Sequence, residues 1–202
     1  MSVEFDLSPS TPINLSKAIV LVVETTTHAA DILGQILKGF GIAESHRTTS
    51  IREAAELVKH KTFDLILIDP DVEDGAGYNF VRTLRTGMVE PNCFAPVILM
   101  SGHPRVSRVK RARDTGANYF ISKPLAPNVL LQRILWVARD KRPFVEAGGY
   151  VGPDRRFKFE GLPPGSDGRR SSDIKDPLGE ASEPNMSQDD IDNFMKPQRV
   201  SL

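Results

Sequence analysis

The chain has 202 residues, 40% hydrophobic and 26% charged, and its 26 Lys and Arg balance its 26 Asp and Glu. That length allows one domain of ordinary size with extensions, and a single cysteine, Cys93, excludes an intramolecular disulfide. The neutral total divides into +3 over residues 1–144 (18 basic against 15 acidic) and −3 over the remainder (8 against 11); neither part has the strongly basic stripe of a nucleic-acid binder. The start MSVEFDLSPSTPIN lacks the basic-then-apolar order of a signal peptide, and no apolar run exceeds strand length. The reading is a cytoplasmic protein with no membrane span and no nucleic-acid partner.

Residues 1–15 are read as a flexible N-terminal segment, and a regular alternation follows. AIVLVV (18–23) is a continuous apolar run, as in a strand buried on both faces. HAADILGQILKGFG places Ile32, Leu33, Ile36, Leu37 and Phe40 at helical spacing and stops at Gly41. IAESH (42–46) predicts a short strand, and SIREAAELVKHK a helix opened by a Ser50 cap. FDLILID (63–69) is the clearest strand and GYNFVRTLRTG a short helix. APVILMS, the basic helix PRVSRVKRARDTG, the strand NYFIS and the amphipathic helix APNVLLQRILWVARD complete the series. Five strands, each followed by a helix, predict a doubly wound parallel sheet with helices on both faces, because parallel strands require crossovers.

The domain is bounded at 16–142. Residues 143–185, rich in Gly, Pro, Ser and Asp, are read as a flexible linker that buries too little surface to order itself, leading into a disordered tail. Within that tail MSQDDIDNFM predicts a short amphipathic helix over 186–196: Ser187 caps, Asp190 takes the capping-box place, and Met186, Ile191, Phe194 and Met195 share a face.

In such a sheet, function gathers where strands end. The first strand ends in Glu24-Thr25, the third in Asp69, the fourth in Ser101 and the fifth in Lys123-Pro124. A carboxylate nucleophile needs a cation to offset phosphoryl charge and a hydroxyl donor to one of its oxygens. DPDVEDG has no glycine at the sixth place of a calcium loop and no acid at its end, which excludes that reading.

DLILIDPDVEDGAGYNFVRTLR, VILMSG and GANYFISKPL, in that order on those elements, resemble the response-regulator receiver domain. The resemblance implies a flavodoxin-like sheet of order 2-1-3-4-5. It implies a phosphoryl group accepted on Asp69 from a histidine kinase or histidine phosphotransfer protein. Ser101, Lys123 and the aromatic Phe120 would be the phosphoryl-binding and switch residues, and Mg²⁺ would be held by Glu24, Asp69 and Asp71. Such a protein is no enzyme beyond its own phosphorylation and dephosphorylation, and its output is contact with a downstream protein on the fourth-helix, fifth-strand, fifth-helix face.

Two departures are visible. Thr25 stands where a second acid is usual, which weakens any Mg²⁺ site, and Pro70 and Glu73 alter the acceptor loop. An interaction module without efficient phosphotransfer is therefore the alternative. A haloacid-dehalogenase-like phosphatase, suggested by Asp69-Pro70-Asp71, is more remote, because that family carries the motif on its first core strand and needs a downstream acid pair. MSQDDIDNFM also resembles, over a few residues, a flagellar-switch segment that binds activated chemotaxis regulators. That likeness raises docking of the tail on its own basic fourth helix, against the alternative of a solvated acidic tail.

Overall fold

The computed structural model describes residues 14–87, 90–140, 142–155 and 185–195. Five parallel strands form one sheet: β1 (Ile19–Val23), β2 (Glu44–Thr48), β3 (Leu65–Ile68), β4 (Val97–Ser101) and β5 (Tyr119–Ser122). Their order is β2-β1-β3-β4-β5, as expected. β1, β3 and β4 are apolar at almost every position because they lie inside, covered on both faces. The covering helices are α1 (Thr27–Gly39), α2 (Ile51–His60), α3 (Ala76–Thr86), α4 (Val106–Asp114) and α5 (Pro127–Ala138). Thr26 and Ser50 cap α1 and α2 by accepting from Ala29 N and Glu53 N. Among the described residues no helix is long and apolar enough to cross a membrane.

β2 begins two residues later than expected. Gly41, at φ 86°, turns the chain out of α1, and Ile42 then packs into the core while its N–H bonds to Leu37 O. Ile42 is therefore the plug of a helix end, and the polar ESHRT behind it forms the edge strand.

The linker reading fails at its start. Phe144–Ala147 (β6) and Tyr150–Pro153 (β7) make an antiparallel hairpin, Ala147 opposite Tyr150, with Gly148 and Gly149 at φ 57° and 78° as its two-residue turn. It seats by close backbone approach: a Cβ on Gly116 would stand 2.3 Å from Val151 O, and one on Gly152 would stand 2.7 Å from Gly116 Cα. Beneath it Arg85, 2% exposed, donates to the carbonyls of Gly116, Cys93 and Ala95 and to Asn118 Oδ1, at 2.7–3.0 Å, with the Phe144 ring 5.0 Å from its guanidinium. Burial pulls the Arg85 pKa down to about 10. The remainder of the expected linker (156–184), most of the N-terminal segment (1–13) and residues past 195 lie outside the described residues.

A sixth helix, α6 (Gln188–Met195), forms within the span read as amphipathic. Ser187 and Asp190 make the reciprocal cap: Ser187 Oγ accepts from Asp190 N at 3.2 Å, and Asp190 Oδ2 accepts from Ser187 N at 3.3 Å. The helix lies against β5, α4 and α5, with Ile191 and Met195 buried in the main core.

Candidate functional site

β1, β3, β4 and β5 all run toward one rim of the sheet, and their last residues meet there. Asp69 follows Ile68, its N–H bonded to Val23 O at 2.8 Å, so its backbone belongs to the sheet while its side chain, 7% exposed, reaches the mouth. Gly77 makes this possible from the far side. A Cβ there would come within 2.7 Å of Asp69 O and 2.8 Å of Pro70 Cα, so only glycine lets α3 start this close to the end of β3.

Lys123 ties the rim together. Its Nζ stands 2.6 Å from Asp69 Oδ2 and 2.7 Å from Glu24 Oε2. Burial pulls the ammonium pKa down, but the hydrogen bonds and charges of Asp69 and Glu24 outweigh it and leave Lys123 raised. Glu24 is fully buried, and its carboxyl is pushed up, chiefly by desolvation, despite the lysine. Its other oxygen, Oε1, has no hydrogen-bond partner.

The other expected residues fall into a second group. Asp69 Oδ1 accepts from Asp71 N at 2.8 Å, which curls the loop back over the strand end. The Asp71 carboxylate is held by Arg108, not Lys123: both its oxygens accept from Arg108 at 2.6 Å, and Oδ2 also accepts from Ser101 Oγ at 3.3 Å. Ser101 Oγ in turn accepts from His103 N. Phe120 is fully buried in β5. Beyond Asp71, Glu73 and Asp74 both take positive φ (45° and 56°), a strained path for residues with side chains. Glu73 offsets part of that cost by accepting from Ile51 N at the start of α2. Glu73 thus pins the loop after β3 to α2.

The three acids expected to share a metal do not converge. Glu24 and Asp69 are drawn to Lys123, Asp71 is held by Arg108, and Thr25 is an exposed neutral residue. Among the described residues no three His, Cys, Asp or Glu side chains group as a metal site. The residues present therefore do not fit a full carboxylate cage for a hard dication. Arg108 is the rim residue that sequence reasoning overlooked; α4 is visibly basic, but nothing in the sequence singles out Arg108 as the partner of Asp71.

The position of Asp69 on the third strand also disposes of the dehalogenase-like alternative, whose motif belongs on the first. The sequence model of the response regulator receiver domain matches residues 20–135. The cell cycle transcriptional regulator CtrA of Caulobacter vibrioides is 28% identical over 120 residues, 59% of this chain and 50% of the relative. CtrA of Brucella ovis, a cell cycle response regulator, matches to the same extent, so the chain spans about half the length of the curated relatives it matches. The fold recurs in the chemotaxis response regulator CheY4 of Vibrio cholerae (TM-score 0.54, 23% identity, 59% of this chain and 98% of that one). It recurs again in a CheY-like receiver domain protein of Methanospirillum hungatei (TM-score 0.53, 23% identity, 59% and 91%). With the ends of β3, β4 and β5 bringing Asp69, Ser101 and Lys123 to one rim of a 2-1-3-4-5 sheet, the chain belongs to the response regulator receiver family of two-component systems.

Proposed function

We propose that the chain accepts a phosphoryl group on Asp69 and signals by protein contact, with a weakened metal site. The observation that carries this reading is the Lys123 ammonium 2.6 Å from Asp69 Oδ2. In the transfer, an Asp69 oxygen attacks phosphorus, the bond from phosphorus to the donor imidazole nitrogen breaks, and that electron pair returns to the ring. Lys123 offsets charge on the phosphoryl oxygens, and Ser101 turns its hydroxyl from Asp71 to donate to one of them. Receiver domains interact with histidine kinases and downstream effectors; here the donor is a histidine kinase or phosphotransfer protein, and the transfer takes place in the cytoplasm. The chain performs no catalysis beyond its own phosphorylation and dephosphorylation.

Receiver domains generally bind Mg²⁺ at the phosphorylation site. In this chain Thr25 removes one full charge from that site and Arg108 competes for Asp71, so the ion binds weakly, and it would serve to neutralise phosphoryl oxygens. The second reading, an interaction module with no effective phosphotransfer, is favoured by one observation: the lysine already bridges both buried acids. Intact mass after incubation with acetyl phosphate or a phosphohistidine donor separates the two. A single phosphoryl adduct that Asp69→Asn abolishes is the expected result. An unmodified wild-type chain under every donor establishes the second reading.

A further inference from the structure

β5 is the last strand of the sheet, so its outer edge offers backbone groups that no strand satisfies. α6 meets that edge with one side chain. Gln188 Oε1 accepts from Ser122 N at 2.7 Å and Ser122 Oγ at 2.9 Å, while its Nε2 lies 3.4 Å from Phe120 O. The amide of Gln188 thus substitutes for the peptide group of a missing sixth strand. Its Nε2 also donates to Asp192 Oδ1 at 2.6 Å, one helical turn on. That aspartate is buried, pairs with Arg133 on α5, and lies near the buried Tyr119 phenol. Phe194 lies 5.4 Å beneath the Arg113 guanidinium of α4. Ahead of the helix, Asn185 bridges Arg105, and Met186 N donates to Pro104 O at 2.7 Å.

These contacts make a recognition rule. Gln188 reads the strand edge, Asp192 reads the half-buried Arg133, and Ile191 and Met195 fill the apolar floor.

We propose that the α4–β5–α5 face is a receptor for an acidic amphipathic helix carrying a glutamine one turn before an aspartate. α6 is the chain's own copy of that ligand and holds the face against an outside protein presenting the same pattern. This deepens the reading of output by protein contact and adds an occupant that must leave first. Because residues 156–184 join α6 covalently to the domain, its local concentration is of millimolar order, so an outside helix meets a face already filled.

The test uses the unphosphorylated full chain and a fluorescently labelled peptide of residues 185–195. In wild type the peptide must displace α6. In the full chain carrying Ile191→Asp the face is open, and the peptide is expected to bind at least about tenfold tighter, the competition a millimolar tether imposes on a ligand of ~0.1 mM affinity. A Gln188→Ala peptide should bind the open chain about tenfold more weakly, since the hydrogen bonds to Ser122 N, Ser122 Oγ and Phe120 O are lost. Equal affinity for wild type and Ile191→Asp overturns the proposal, as does no binding to an Ile191→Asp chain whose circular dichroism is native. If Ile191→Asp fails to fold, the full chain with Gln188→Ala, altered at a half-buried position, provides the same comparison. A wild-type chain that sediments as a dimer, and becomes monomeric with Ile191→Asp, also overturns it, by making a second copy the occupant. No phosphodonor is present, so the outcome is independent of whether Asp69 is modified.

Discussion

Glu24 is a carboxylate in an environment that resists its charge, with one oxygen on Lys123 and one without a partner. Its pKa is raised in the folded state, above the ordinary 4.5, so the native protein binds more protons than the unfolded chain between those two values. Stability from this group is present below pH 4.5 and is lost as pH rises through the folded value. Subtracting a Glu24→Gln series from wild type in urea unfolding at stepped pH should isolate that downward slope; a flat difference would show that Glu24 is not desolvated as described. Thr25 tests the other half of the rim. Thr25→Asp should tighten Mg²⁺ binding by an order of magnitude or more, since charge count tunes such sites strongly, and titration calorimetry reads it directly. Asp69, Ser101 and Lys123 were legible in the sequence because each ends an apolar run, and a strand end fixes where a residue lies. The Asp71–Arg108 pair was not. It joins a loop to a helix 37 positions later, and nothing local in either segment specifies that meeting.

At the level of elements, the hairpin carries the largest departure from expectation. Its signal was present: Gly148-Gly149 between two four-residue segments is a two-residue turn. The surrounding Gly, Pro and Ser masked it, because composition averages over more residues than a hairpin contains. The packed structure therefore extends past Arg142 through the hairpin. A chain ending at Arg142 should unfold at clearly lower temperature than one ending at Arg155, with Arg85 uncovered. Arg85→Met should cost at least about 3 kcal/mol, because several buried acceptors lose their donor together; chemical denaturation measures both. Gly77→Ala belongs here as well. Its methyl would strike backbone atoms, which cannot swing aside, so a loss of about 1–3 kcal/mol is expected, together with slower phosphorylation as Asp69 shifts. A Gly77→Ala chain as stable as wild type would mean α3 moves freely away from the end of β3.

Across the whole molecule, a positive domain and a negative tail meet. The amphipathic period of 186–196 was readable, and its destination was readable only as a sign of charge. Which strand edge it would satisfy depended on β5 being outermost, a property of the complete sheet. Charge alone does not hold it, however. The Arg133 and Asp192 side chains are 14% and 9% exposed, and salt screens such pairs far less than surface ones. Amide protection over Gln188–Met195 should therefore persist from 0.1 to 1 M salt; its disappearance would assign the docking to long-range attraction instead of Ile191 and Met195. The covalent connection has one more consequence. A free inhibitor gains or loses hold as its abundance changes, whereas a helix carried on the same chain faces its site at a concentration that synthesis and degradation cannot alter. The threshold an outside partner must exceed is thus written into the sequence of 185–195 and the length of 156–184, and it stays constant however many copies of the protein the cell makes.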